Sequence, residues 1–70
     1  MNPTRLLSAD TLSAWTFKFP LRSTGRVYAK HECRCDIHRD EWALVERRTV
    51  STFVALRAIE RLEKAGWKRG

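Results

Sequence analysis

A chain of 70 residues allows one domain with a thin core, residues 1–70 together. Its formal net charge of +6 points to an acidic partner, whether nucleic acid or an acidic protein surface. No apolar run approaches the roughly 20 residues of a membrane-spanning helix. The start, MNPTRLLSADTLSAW, lacks the unbroken apolar core of a signal peptide, and two cysteines do not make a secreted disulfide scaffold. The expectation is a soluble, cytoplasmic protein that makes no use of a membrane.

The charge is uneven. Residues 1–30 carry five basic and one acidic side chain, a net +4. Residues 31–46 carry two basic and five acidic, a net −3, and residues 47–70 carry seven basic and two acidic, a net +5. Two basic ends thus flank an acidic middle, with no continuous basic run.

In chain order, NPTRLLSADTLS (residues 2–13) sets Leu6, Leu7 and Leu12 among polar residues. Residues 1–13 are expected to form an N-terminal arm or a short helical turn. AWTFKF (residues 14–19) alternates Trp15, Phe17 and Phe19 against Thr16 and Lys18, the pattern of a strand with an aromatic face. Pro20 ends it, and PLRSTGR (residues 20–26) has the chemistry of a connecting loop. VYAKHECRCDIH (residues 27–38) also has a period of two. Val27, Ala29, His31, Cys33, Cys35 and Ile37 share one face, and Lys30, Glu32, Arg34 and Asp36 lie on the other. Such alternation marks a strand with one dry and one wet face. The expected pairing is a hairpin of 14–19 with 27–35.

His31, Cys33, Cys35 and His38 invite a zinc reading. Structural zinc units use C-x2-4-C with a second ligand pair well separated in sequence, whereas here C-x-C and both histidines fall within eight residues. On a regular strand, side chains two apart lie about 6.6 Å from each other along the chain. That is too far for two ligands each about 2.3 Å from one metal. A sharp turn at Cys35 would be needed to close the site, so the cysteines are expected to be small core residues and no cofactor is expected.

DEWALVERR (residues 40–48) suits either a short helix capped by Asp40, with Trp42 and Val45 inward, or a strand with Trp42 and Leu44 inward. The helix is the expectation. The last element is the clearest: Thr49 or Ser51 caps a helix running to about Ala65. Its expected apolar stripe is Phe53, Leu56, Ile59 and Leu62. Arg57, Glu60, Arg61 and Lys64 face outward, with Glu60 and Lys64 as an i,i+4 pair. Gly66 supplies a left-handed residue, and Trp67 packs back on Leu62 in a Schellman ending. This helix is expected to lie on the Trp15, Phe17, Val27 and Cys33 face. The whole is an α+β domain, an antiparallel strand pair packed against one C-terminal α-helix.

Catalytic motifs are missing: there is no glycine-rich phosphate loop, no G-x-S-x-G and no H-E-x-x-H. A chain with one thin core rarely supplies a nucleophile, an oriented base, an oxyanion site and a dry cleft together. A non-enzymatic binding protein is expected. LVERRTVSTFVALRAIERLEKAGW (residues 44–67) resembles the second and third helices of a winged helix-turn-helix, through Ala55, Leu56, Leu62, Glu63 and Gly66. That resemblance implies Ser51, Thr52, Arg57 and Arg61 at the major groove and Arg47 and Arg48 on phosphate. The turn is short for the family, and only three residues follow Trp67.

Taken whole, the chain is similar to the small phage-encoded regulators that bind host RNA polymerase, of the inhibitor and antiterminator kind carried by a lytic Xanthomonas phage. The similarity lies in size, arginine and alanine usage, basic balance, and RLLSADTLSAWTFKFP ahead of a strand pair and a helix. It implies binding to the large subunits of bacterial polymerase in the host cytoplasm, hindered promoter-specific initiation and altered termination. Arginine and aromatic anchors are the types enriched at binding hot spots. The partner-binding candidates are therefore Arg5, Lys18, Arg22 and Arg26, then Arg47, Arg48, Arg57 and Arg61, with Trp15 and Trp42. A monomer with weak, non-specific affinity for nucleic acid completes the expectation.

Overall fold

Two alternating stretches form the middle of the sheet. The structure, a computed structural model, describes residues 3–20, 26–35 and 41–70. In it β2 (Ser13–Lys18) pairs antiparallel with β3 (Arg26–Cys33), setting Trp15 opposite His31 and Phe17 opposite Ala29. The expected hairpin is present, and three further strands extend it. β1 (Thr4–Leu7) flanks β2, β4 (Ala43–Ser51) flanks β3, and β5 (Lys68–Arg69) closes the far side of β1. The strand order is β4-β3-β2-β1-β5, antiparallel throughout. One helix, α1 (Thr52–Lys64), leads from β4 on one edge to β5 on the other. The result is a small α+β domain.

Several expectations need correction. Residues 4–7 are a strand, neither an arm nor a helical turn. Leu6 is fully buried opposite Trp15, so burial of that side chain and pairing with β2 hold the segment. A tight turn returns the chain from β1 to β2: the Asp10 carboxylate accepts from the Ser8 hydroxyl and the Leu12 amide. The Ser8 hydroxyl, and after it the Leu12 amide, holds the Asp10 carboxyl below the usual range.

Residues 43–51 are strand β4, so the helix expected in residues 40–48 is not formed over 43–48. Leu44 and Val45 are both exposed there, so neither proposed inward set occurs. The unpaired edge of β3 supplies the hydrogen-bond partners that make this segment extended. Of the stretch expected to alternate over residues 27–38, the strand ends at Cys33, and residues 36–38 lie outside the described residues. A register irregularity falls between His31 and Glu32 on the β4 side, while on the β2 side the Arg34 backbone amide still donates to the Leu12 carbonyl, one pair beyond the strand ends. Cys33 is consequently half-buried and Cys35 exposed, so Cys35 is not a core residue.

The helix begins and ends by local chemistry. Ser51 is the cap, its hydroxyl accepting from the Val54 amide at 3.2 Å. At the other end the Trp67 amide donates to the Leu62 carbonyl at 3.0 Å, and the Gly66 amide donates to the Glu63 carbonyl at 3.1 Å. These are the two bonds of a Schellman ending. Gly66 has φ +100°, and a Cβ there would meet nothing within 4 Å, so the cost of adding one is conformational. Gly66→Ala is expected to destabilise by about 1 kcal/mol, lowering Tm by about 4–8 °C for a domain of this size. An unchanged melting curve would mean that the ending does not depend on the left-handed residue.

The buried stripe of α1 differs from the expected one. Ala55 and Ile59 are buried, with Ala58 and Leu62 against them, while Phe53 and Leu56 point away from the sheet. Both sets satisfy helical spacing. The small alanines let the helix lie close to Leu6, Phe17, Val27 and Ala29, with which Ala55 and Ile59 form the core. Trp15 and Trp67 pack at the margin of that core. Cys33 shares the helix-facing side by register but lies outside the cluster.

Candidate functional site

Because directly opposed residues in an antiparallel sheet share a face, the registers assign every strand residue to a side. Leu6, Trp15, Phe17, Val27, Ala29, His31, Arg48 and Val50 face the helix. Arg5, Thr16, Lys18, Tyr28, Lys30, Glu32, Arg47, Thr49 and Lys68 occupy the opposite side, which the helix leaves open.

The open face carries one or more cations on every strand. Arg5 lies on β1, Lys18 on β2, Arg26 and Lys30 on β3, Arg47 on β4 and Lys68 on β5. Glu32 is the only carboxylate among the described strand residues of that face, 3.6 Å from the Lys30 ammonium. Two cross-strand rows organise the charges. One runs Arg5, Thr16, Lys30, Arg47, each residue directly opposite the next. The neighbouring row runs Lys18, Tyr28, Thr49, with the Tyr28 ring 39 % exposed at its centre. Lys30 directly opposite Arg47 is a like-charge pair, which weakens a sheet unless an anion offsets it. Trp42 lies at the end of this face, its ring 4.9 Å from the guanidinium carbon of Arg5 and 4.4 Å from that of Arg34.

The helix side has another character. A cleft of about 290 Å³ lies between α1 and the sheet, lined by Trp15, Arg48, Val50, Val54, Arg61 and Leu62 among others. The helix exposes Val54 (49 %) at this cleft and Phe53 (67 %) and Leu56 (54 %) elsewhere on its surface, and the Arg57 guanidinium carbon lies 5.5 Å from the Phe53 ring centroid. Carboxylates offset several cations here: Glu46 lies 2.6 Å from Arg48, Glu60 3.2 Å from Lys64, and Glu63 3.5 Å from Arg69.

The ten partner-binding candidates therefore divide. Arg5, Lys18, Arg26 and Arg47 come together on the open face with Trp42 at its end. Trp15, Arg48 and Arg61 meet at the cleft, and Arg57 lies outward on α1. Arg22 lies outside the described residues. Tyr28, Lys30 and Lys68 belong to the open face and were not among the candidates. Alternation in β3 marks Tyr28 and Lys30 as outward residues, but nothing local brings Lys68 beside them.

The helix-turn-helix expectation is overturned, since the first of its two helices would occupy residues that form β4. Among the described residues the zinc candidates do not gather either. His31 and Cys33 share a face of β3, Cys35 lies beyond the strand, and His38 is outside the described residues. His31 instead stacks on Trp15, centroids 4.6 Å apart and planes within 7°, and its Nε2 is buried without a hydrogen bond to a described residue. No group of three His, Cys, Asp or Glu side chains among the described residues is placed to hold a metal ion. Purified protein is expected to carry no stoichiometric zinc and to melt identically with a chelator. One zinc per chain, with unfolding on its removal, would contradict this.

No helix among the described residues is long and apolar enough to cross a membrane. No family model matches the chain, and no curated protein or solved structure matches it at a significant level.

Proposed function

We propose that this chain is a non-enzymatic transcription regulator that binds bacterial RNA polymerase, as the phage-type resemblance implies, and that it does so through its helix side. The observation that carries the binding surface is the helix's exposed apolar side chains: Val54 at the cleft it shares with Trp15, Arg48 and Arg61, and Phe53 and Leu56 on its outer side. Several large apolar side chains exposed on one short helix mark an interaction site on a small domain. Aromatic and arginine side chains around them are the types that carry most binding energy. The partner, a large subunit of the polymerase in the bacterial cytoplasm, and the outcome, inhibited initiation or antitermination, come from the resemblance.

The test is capture of purified bacterial polymerase by the immobilised protein at physiological salt. Capture is expected to persist there, because buried contacts are screened far less than exposed ones. Leu56→Asp and Phe53→Asp, both at exposed positions that should still fold, are expected to abolish it. Polymerase that is not captured, or is captured equally by both variants, would overturn the proposal.

A further inference from the structure

We infer that the open face of the sheet is a binding surface for a single-stranded polynucleotide, its phosphates along the Arg5–Lys30–Arg47 row and a base on Tyr28. This surface lies opposite the helix side and does not depend on the polymerase proposal.

Charge and shape carry the inference together. The row of Arg5, Thr16, Lys30 and Arg47 crosses four adjacent strands. At about 4.8 Å per strand it is a basic track about 14 Å long. Lys30 and Arg47 repel one another across the β3–β4 ladder, and among the described strand residues of that face one carboxylate, Glu32, stands near them. An anionic chain laid along the row would relieve that repulsion. Tyr28 lies one row away, about 7 Å along the strand, between Lys18 and Thr49. Its ring is held by the sheet and 39 % exposed. A phosphate track beside an aromatic platform is the arrangement that binds single strands without reading sequence, because every base has a face to stack.

The alternatives fit less well. A duplex major groove takes a helix or a two-stranded ribbon, and five strands side by side do not enter it. An acidic protein segment would satisfy the cations but has no base for Tyr28.

The experiment is fluorescence anisotropy with a labelled oligothymidylate, a duplex of the same length and polyglutamate as competitor. The single strand is expected to bind more tightly than the duplex and to resist polyglutamate. Three phosphate contacts on a single strand give a slope of log K against log salt near about −2, so a threefold rise in salt weakens binding about ninefold. Tyr28→Ala is expected to weaken binding about tenfold without changing that slope, and Tyr28→Phe to restore it. Arg47→Glu and Lys18→Glu, on separate exposed positions, should each abolish binding at moderate salt, whereas Leu56→Asp on the helix side should leave it intact. Duplex binding as tight as single-strand binding, or displacement by polyglutamate as by unlabelled strand, would overturn the inference. So would full affinity in Tyr28→Ala. Loss of polymerase capture in Leu56→Asp with strand binding retained keeps the two proposals separable.

Discussion

Replacing Phe17 with alanine is expected to remove about 3–5 kcal/mol of stability, the usual cost of deleting a buried phenylalanine ring. Phe17 is 2 % exposed on β2, the middle strand of five. It stands directly opposite both Thr4 and Ala29, and its ring stacks on Trp15 at 5.9 Å. At about 0.05–0.15 kcal/mol per residue, a domain this small has little stability to spare. Much of the Phe17→Ala protein should therefore be unfolded at 37 °C. A urea titration would show it as a large fall in midpoint; a change below about 1 kcal/mol would mean that the ring is not central to the core.

Leu6→Ala is expected to cost about 2–5 kcal/mol, and it separates two views of the N-terminal segment. Leu6 is fully buried, opposite Trp15 on one side and Arg69 on the other. Its loss would loosen β1 and, through it, β5, whose only strand neighbour among the described residues is β1. An arm that ordered only on a partner would tolerate the change with no shift in the free protein's melting temperature. A fall of several degrees is expected, together with faster amide exchange in residues 4–7.

Features specified by neighbouring residues were legible in the sequence. The β2–β3 hairpin follows from alternation that is unbroken where both strands have one dry face. The helix ending follows from Gly66 and Trp67, and the cap is Ser51, one of the two candidates Thr49 and Ser51. What failed depends on pairing across the fold. β4 is an edge strand with Leu44 and Val45 both exposed, so it shows no clean period of two, and a capping aspartate made a helix look equally good. β1 is four residues long, too short for a periodic signal. In α1, apolar residues occupy two stripes, and size favoured Phe53 and Leu56 over Ala55 and Ala58. Close approach to the sheet favours the alanines. The open face was hidden because a count along the chain gives basic ends and an acidic middle. Only the registers place Arg5, Lys30 and Arg47, from distant parts of the sequence, in one row.

Hydrogen–deuterium exchange of the full chain, free and mixed with purified bacterial polymerase at physiological salt, tests the proposed function most directly. New protection is expected across Thr52–Lys64 and at the adjoining end of β4, with β1 unchanged. An exchange pattern identical with and without polymerase, or protection confined to the sheet with the helix unaffected, would contradict it.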